Sequence, residues 1–268
     1  MLRIGLVGCG TIGSRLALAI ERELSHAARV TALYDLDRSH AEALQRQLSS
    51  HPPILPLSRL LRQSQLVIEA AAAEAAGPIV ERALRLNRSV FVMSVGGLLR
   101  DQTWRRLAQR SKGRVYVPSG ALAGLDGVKA MAVGRIRRVS LTTRKPPAAL
   151  AQAPYVRRKH LRLERLTKPT VIFEGSARQV VQAFPQNTNV AAALTLASGL
   201  SAGRTRVRVV ADPTVRTNLH EVEVEGDSGS IYCRIQSRPS ANPKTSELAV
   251  RSAIVTLRRL FDPVVIGT

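Results

Sequence analysis

The chain has few cysteines, few aromatic residues and no long apolar run. Two cysteines among 268 residues provide neither a disulfide framework nor the spacing of a metal site, which fits a reducing compartment. Aromatic residues make up only 3% of the chain, too few for the base-stacking platforms that bind single-stranded nucleic acid. No apolar run approaches the roughly 20 residues that a membrane span requires. We therefore expect a soluble, cytoplasmic protein that binds no metal and inserts into no membrane.

Acidic residues are also scarce. Forty Lys and Arg residues stand against nineteen Asp and Glu residues, which gives a formal net charge of +21. This surplus raises the non-specific affinity of a protein for anions, but it does not indicate a fold. Because no helix-turn-helix or zinc signature accompanies the charge, specific binding of nucleic acid is not expected. The apolar fraction of 45% is sufficient for a sizeable core without cross-links.

A glycine motif follows the first apolar run of the chain. Residues 2–7 read as a short strand, and Gly8, Gly10 and Gly13 then fit the pattern G-x-G-x-x-G at the start of a helical pattern. In such a loop the glycines permit a tight turn, a close approach of a pyrophosphate and close packing of helix on strand. The N-terminus of the helix also favours an anion. The motif predicts a dinucleotide site formed by Gly8, Gly10, Thr11, Ile12 and Gly13.

An acidic residue ends the second predicted strand. Residues 29–34 are followed by Asp35, about 20 residues after the glycine motif, where a carboxylate is expected to accept hydrogen bonds from the adenosine ribose. A carboxylate at this position repels the additional phosphate of NADP, so we expect NAD as the cofactor. Arg38 is able to bind that phosphate, which leaves NADP possible. The alternative role of Asp35 is to cap the next helix.

Strands and helices alternate through the first 118 residues. Further apolar strands are predicted at 66–69, 89–93 and 114–117, and the alternation indicates an α/β domain with a doubly wound, parallel Rossmann sheet. Ligands of such sheets lie beyond the carboxyl ends of the strands. Small residues at 69–71 and 94–97 would leave room there for a nicotinamide ribose, or would simply permit tight packing.

The second half has a different pattern. Residues 119–245 contain strands that alternate apolar and polar residues, and 226–229 read as a hairpin turn, which indicates an α+β domain with a mainly antiparallel sheet. His220 opens one of these strands, either as a packing residue or as an acid/base. A final helix in 246–268 is expected to pack back on the first domain.

Short sequence blocks spread along nearly the whole chain resemble the L-aspartate dehydrogenase family. They are VGCGTIG at 7–13, SVGGLL at 94–99, PSGALAGLD at 118–126, TRKPP at 143–147, FEGSA at 173–177, FPQNTNVAA at 184–192, ADP at 211–213, NLHE at 218–221 and PSANPKTS at 239–246. The resemblance implies an oxidoreductase that transfers a hydride from L-aspartate to NAD(P)⁺ and forms iminoaspartate, then oxaloacetate and ammonia, in NAD biosynthesis. It also implies that residues 119–245 carry catalysis, substrate binding and the contacts of a homodimer.

The resemblance also implies roles for single residues. The catalytic histidine of the family corresponds to His220, whose ordinary pKa of about 6.5 suits proton transfer near neutrality. Further cofactor contacts correspond to Ala123 or Ala121, and to Asn189 or Asn187. The two carboxylates of the substrate require cationic and hydroxyl donors, although some candidates are also plain surface residues or helix caps. The candidates are Lys145, Asn242, Lys244, Thr245 and Ser246.

Two other functions are compatible with parts of the sequence. A dehydrogenase of the same architecture could act on another amino acid or on a semialdehyde such as homoserine, and a substrate screen distinguishes this case. A regulator that senses NAD(H) and binds DNA would show salt-dependent DNA binding and no turnover. The absence of a DNA-reading helix in the sequence pattern argues against the regulator.

Overall fold

The computed structural model describes residues 1–185, 188–238 and 246–267. The chain divides into two compact units. The first contains Met1–Pro118 and Val250–Val265, and the second contains Ser119–Ala249 and Ile266–Thr268. Within the described ranges, no helix has both the length and the apolar character needed to cross a membrane.

The first unit is built on a parallel sheet of five strands in the order β2-β1-β3-β4-β5. The strands are β1 (Leu2–Val7), β2 (Ala28–Tyr34), β3 (Leu66–Glu69), β4 (Ser89–Val92) and β5 (Val115–Tyr116). The helices between them are α1 (Thr11–Glu23), α2 (Arg38–Gln47), α3 (Leu57–Gln63), α4 (Ala73–Arg85) and α5 (Thr103–Arg110), with a 3-10 helix at Val95–Leu99. This arrangement confirms the predicted Rossmann sheet.

The central strands are apolar because both faces of the sheet are covered. All four residues of β3 are buried, and α1 buries Leu16, Ala17 and Ile20 in the core. Burial of each large aliphatic side chain contributes about 1.5–3 kcal/mol relative to its exposed state. The core therefore fixes the positions of the strand ends, from which the cofactor loops extend.

The second unit contains, in its described part, a sheet of five strands in the order β10-β9-β6-β8-β7. The strands are β6 (Ile136–Lys145), β7 (Thr170–Ser176), β8 (Arg206–Ala211), β9 (Asn218–Gly226) and β10 (Gly229–Ser237). All neighbours are antiparallel except β6 and β8, which run parallel. The prediction of a mainly antiparallel sheet is confirmed. The parallel pairing of β6 with β8 was not predicted, because alternation within one strand does not identify its neighbours. The strand β7 was not predicted either.

Short helices accompany this sheet, and a longer one ends the chain. They are α6 (Leu125–Met131), α7 (Pro147–Leu150), α8 (Pro154–Arg158), α9 (Ala177–Ala183) and α10 (Asn189–Ala197), with a 3-10 helix at Leu163–Arg165. The last helix, α11, spans Glu247–Arg258. Its Ala253 and Leu257 belong to the same core cluster as Leu6 and Ile20 of the first unit, and its Arg258 forms an ion pair with Glu23 of α1.

Candidate active site

The glycine loop of the first unit is shaped by contacts that exclude a side chain. Gly8 has a φ of +94°, and a Cβ placed on it would lie 2.5 Å from the carbonyl carbon and oxygen of Ala70. A Cβ on Gly13 would overlap the carbonyl oxygen of Gly8. These two glycines are therefore required by the fold itself, because the loop packs directly on β3 and α1 packs directly on the loop.

Gly10 differs from both of them. A Cβ on Gly10 would meet no atom of the described residues within 4 Å, so nothing in the described part of the chain requires a glycine there. Gly10 is the N-cap of α1, and no described side chain caps this helix. The first N–H groups of a helix have no partner inside it and carry its positive dipole end, so Thr11, Ile12 and Gly13 present donors to an anion. The open space at Gly10 and these donors fit a pyrophosphate.

Asp35 is held in place by two backbone donors. Its Oδ2 accepts a hydrogen bond from the N–H of Cys9 at 2.7 Å, and its Oδ1 accepts one from the N–H of Asp37 at 3.0 Å. The alternative role of Asp35 as a helix cap is taken by Asp37, whose Oδ1 accepts from the N–H of Ser39 at 3.0 Å. The remaining lone pairs of Asp35 are able to accept from ribose hydroxyls.

The glycine loop and Asp35 line one cleft of about 400 Å³ at the carboxyl ends of β1, β2 and β3. Ala70–Ala72 form the side after β3, and Ala75 and Ile79 of α4 add apolar surface, while His40 and Arg82 also line the cleft. An apolar surface beside a glycine loop suits an adenosine bound through its ribose and phosphates. The thiol of Cys9, within the loop, is disfavoured as a nucleophile, because burial and the charge of Asp35 raise its pKa to about 12.

In the second unit, His220 of β9 lies opposite Thr143 of β6 in the antiparallel register. Nδ1 of His220 and Oγ1 of Thr143 are 2.9 Å apart and form a hydrogen bond. Both side chains are only 3% exposed. Thr143 thus fixes the ring and leaves Nε2 as the nitrogen available to a ligand. Thr143 was not among the predicted site residues, because it is 77 residues from His220 in the sequence.

Lys145 lies two residues beyond Thr143 on β6, and therefore on the same face of the sheet. It is buried, and burial lowers its pKa to about 8. The pKa of His220 is lowered to about 3, first by burial and then by the charge of Lys145. At neutral pH the imidazole is therefore uncharged, the state in which a histidine accepts a proton.

Two buried serine hydroxyls also belong to this unit. In the pairing of β9 with β10, Ile235 lies opposite His220. Ser237 is two residues beyond Ile235, so its side chain lies on the same face of the sheet as that of His220. Ser246 directly precedes α11. Within the described ranges the Oγ atoms of both serines are buried and have no hydrogen-bond partner. The side chain of Ser246 therefore does not cap α11. Ser237 was not among the predicted residues, because nothing in its sequence context marks it.

The structure places the other predicted residues as follows. Ala121 is buried and Ala123 is exposed, in the turn before α6, and Asn189 is the first residue of α10. Asn187, Asn242, Lys244 and Thr245 lie outside the described residues. Among the residues that are described, no group of three or more His, Cys, Asp and Glu side chains is placed to hold a metal ion.

The cofactor cleft and the fold together define a class of protein. A Rossmann unit with a glycine loop, combined with an α+β unit that carries a buried histidine, is typical of oxidoreductases that use a nicotinamide dinucleotide.

Comparison with known proteins defines the family within this class. Residues 126–260 match the family described as "Aspartate dehydrogenase, C-terminal", and residues 8–118 match "Homoserine dehydrogenase, NAD binding domain". The L-aspartate dehydrogenase of Methanosarcina barkeri is 44% identical over 273 residues, with 100% of both chains covered. That of Bradyrhizobium diazoefficiens is 38% identical, with 100% of this chain and 94% of the relative covered. The chain belongs to the aspartate dehydrogenase family, as its sequence blocks predicted.

Solved structures agree with this assignment. The crystal structure of aspartate dehydrogenase from Thermotoga maritima is similar with a TM-score of 0.74 at 25% identity, and 100% of each chain is covered. Apo scyllo-inositol dehydrogenase from Lactobacillus casei reaches a TM-score of 0.55 at 13% identity, covering 97% of this chain and 87% of that one. The second likeness shows a shared fold only.

The two kinds of glycine in the loop should respond differently to alanine. Gly13→Ala should destabilise the fold by several kcal/mol, because its Cβ overlaps the backbone of Gly8. Gly10→Ala should leave the melting temperature unchanged but weaken NAD⁺ binding by about tenfold or more, because its methyl group enters the space assigned to the pyrophosphate. Thermal unfolding and calorimetric titration with NAD⁺ measure the two effects. Unchanged NAD⁺ affinity in folded Gly10→Ala would contradict this placement of the cofactor.

Proposed function

We propose that this chain oxidises L-aspartate to iminoaspartate with NAD(P)⁺ as the hydride acceptor. Water then converts the imine to oxaloacetate and ammonia unless a following step of NAD biosynthesis consumes it. The observation that carries the proposal is the buried, uncharged His220 beside Lys145. It lies in a chain that matches L-aspartate dehydrogenases over its full length.

His220 serves as the proton acceptor in this proposal. The bound nicotinamide supplies the oxidising power by accepting a hydride. The ammonium group of aspartate loses one proton before the hydride leaves Cα, and Nε2 of His220 accepts it in the tautomer whose Nδ1–H donates to Oγ1 of Thr143. After water adds to the C=N carbon, Nε2 returns this proton to the nitrogen of the adduct, and the C–N bond breaks to release ammonia as the hydroxyl loses its proton and becomes the C=O group. A single histidine thus performs both proton transfers.

Substrate charge strengthens this base. With a pKa of about 3, the imidazole of the ligand-free protein is a weak proton acceptor, and part of the cause is the charge of Lys145. A substrate carboxylate that pairs with Lys145 compensates this charge, and so raises the pKa of His220 toward its ordinary value. The ammonium group of Lys145 therefore both binds the substrate and couples its arrival to the basicity of His220.

The hydroxyls of Ser237 and Ser246 complete the proposed carboxylate contacts. Both are buried and unpaired in the described part of the structure, and a hydroxyl in that state gains a hydrogen bond when it donates to a carboxylate. Asn242, Lys244 and Thr245 remain sequence predictions for the same role.

Replacement of His220 tests the acid/base role. His220→Ala should lower kcat by roughly 10²- to 10⁴-fold, the usual contribution of a positioned acid/base, while NAD⁺ binding is retained. The assay follows formation of reduced nicotinamide with L-aspartate, and the exposed His26→Ala is the matched control. A loss of less than about tenfold in kcat would remove His220 from the proton transfer.

Thr143 is expected to act through His220. Thr143→Val removes the hydrogen bond to Nδ1 and should lower kcat by about 10- to 100-fold through misplacement of the ring. Thr143→Ser keeps the hydroxyl and should restore most of the activity. Thr142→Val, on the opposite face of β6, is the control and should retain wild-type kcat. Equal losses in Thr143→Ser and Thr143→Val would indicate a packing role instead.

We further propose that NAD is preferred over NADP. The carboxylate of Asp35 is fixed at the cleft, and Arg38, the residue that could bind a 2′-phosphate, has its Nε 2.8 Å from Oε1 of Glu42. A fixed anion at this position disfavours the 2′-phosphate of NADP.

Removal of the Asp35 charge should therefore admit NADP. Asp35→Ser should lower the KM for NADP⁺ and raise the KM for NAD⁺, and so change the preference by about tenfold or more. Asp37→Ser is the matched control, because it removes a neighbouring charge but keeps a residue that caps α2. If both variants change the preference equally, general electrostatics and not the ribose contact sets the specificity.

A second candidate is oxidation of another substrate of related structure. The match of residues 8–118 to the NAD-binding domain of homoserine dehydrogenase favours L-homoserine as the first alternative. The same assay with L-homoserine, L-glutamate and L-malate in place of L-aspartate separates the two, since the first proposal expects turnover of L-aspartate alone.

A further inference from the structure

A buried carboxylate joins the ends of two strands beside the cofactor cleft. Glu69, the last residue of β3, is 0% exposed. Its Oε1 accepts a hydrogen bond from the N–H of Ala71 at 2.9 Å, and its Oε2 accepts one from the N–H of Ser94 at 3.0 Å. Oγ of Ser94 in turn donates to the carbonyl oxygen of Ala71 at 2.6 Å. Glu69 thus connects the segment after β3 to the segment after β4.

The segment that Glu69 holds is a wall of the cofactor cleft. Ala70–Ala72 line the cleft. The carbonyl group of Ala70 also approaches Gly8 so closely that a Cβ there would lie 2.5 Å from it. A shift of this segment would therefore change the space beside the glycine loop, and with it the site for the dinucleotide.

We propose that Glu69 is a positioning residue for the dinucleotide, and that only its ionised form holds the cleft in the shape that binds tightly. The proposal rests on the assignment of the cleft to a nicotinamide dinucleotide, but not on the identity of the substrate. Because Glu69 is fully buried, it acts through Ala71 and Ser94.

The hydrogen bonds by which Glu69 positions Ala71 and Ser94 depend on the protonation state of its carboxyl group. An ionised carboxylate accepts hydrogen bonds at both oxygens, whereas a protonated one carries a donor that opposes one of the two N–H groups. Burial raises the pKa of Glu69 to about 7, although hydrogen bonds from Ser94 and Ala71 act in the other direction. Loss of one contact is thus expected as the pH falls through neutrality.

Burial causes this upward shift of the Glu69 pKa, hydrogen bonds oppose it, and no charged side chain in the described part of the chain is among its causes. Val7 of β1 and Val92 of β4 flank Glu69 in the sheet. The titratable groups of the cleft itself are Asp35, His40 and Arg82. Of these, His40 is the histidine of the cleft, so it requires its own control.

The stability cost of Glu69 supports a functional role. Because its pKa is higher in the folded protein than the ordinary value of 4.5, the folded state binds the proton more tightly than the unfolded state. Its contribution to stability is therefore present at low pH and is lost as the pH rises toward 7. Stability alone does not explain an acidic residue at a position where its ionised form weakens the fold.

The test measures NAD⁺ binding directly by calorimetry between pH 6 and 8.5. NAD⁺ is the probe because it lacks the 2′-phosphate of NADP, which titrates near pH 6. For the wild type, Kd should increase by about 3- to 10-fold from the high to the low pH, the effect of losing one buried hydrogen bond. Glu69→Gln, which accepts only one of the two bonds, should bind weakly at every pH.

Two variants serve as controls for this profile. Glu74→Gln changes an exposed acid at the start of α4 and should retain the affinity and the pH profile of the wild type. His40→Asn changes a residue that lines the cleft, so its affinity for NAD⁺ is not a control, but its Kd should change with pH by the same factor as that of the wild type. A flat wild-type profile would overturn the proposal even if Glu69→Gln failed to fold, and so would a Glu69→Gln protein with the wild-type profile. L-Aspartate turnover is not used, so failure of the proposed activity is a separate result.

Discussion

The register between β6 and β9 is the constraint on which the candidate catalytic group depends. Thr143 lies opposite His220 in this register, and the next inward residue of β6 is Lys145. A slip by one residue would move every side chain of one strand to the other face, and would place Arg144 where Thr143 now meets the imidazole. The alternating apolar residues of β9, including Val222 and Val224, prevent this slip because they must stay in the core.

The two units prepare their ligands by different physical means. The first unit uses glycines, which have no side chain. Gly8 and Gly13 are required by close backbone contacts, and Gly10 leaves open space for a phosphate. The second unit instead buries polar groups, including Thr143, Lys145 and His220. A phosphate requires backbone donors and room, which glycine provides. Proton transfer requires a defined protonation state, which burial provides.

The sequence was sufficient for the parts of this molecule that depend on local pattern. The glycine loop, Asp35, the parallel sheet and the hairpin at 226–229 each have a signal within a few residues. Thr143, Glu69 and Ser237 lack such a signal, because their roles arise from the strand opposite or the loop beside them. The distance in sequence between Thr143 and His220 is 77 residues, and no pattern within either strand reports their contact.

Burial at the strand ends links Lys145, a predicted substrate contact, with Glu69, whose role was not predicted. Lys145 ends β6 and Glu69 ends β3, and in each case desolvation moves the pKa toward neutrality, to about 8 and about 7 respectively. A group that has lost its water gains more from a ligand charge or a backbone donor than a solvated group does. Burial of these ionisable groups at the strand ends therefore lowers the stability of the fold. The same burial makes their protonation states sensitive to a bound ligand, and this sensitivity serves function.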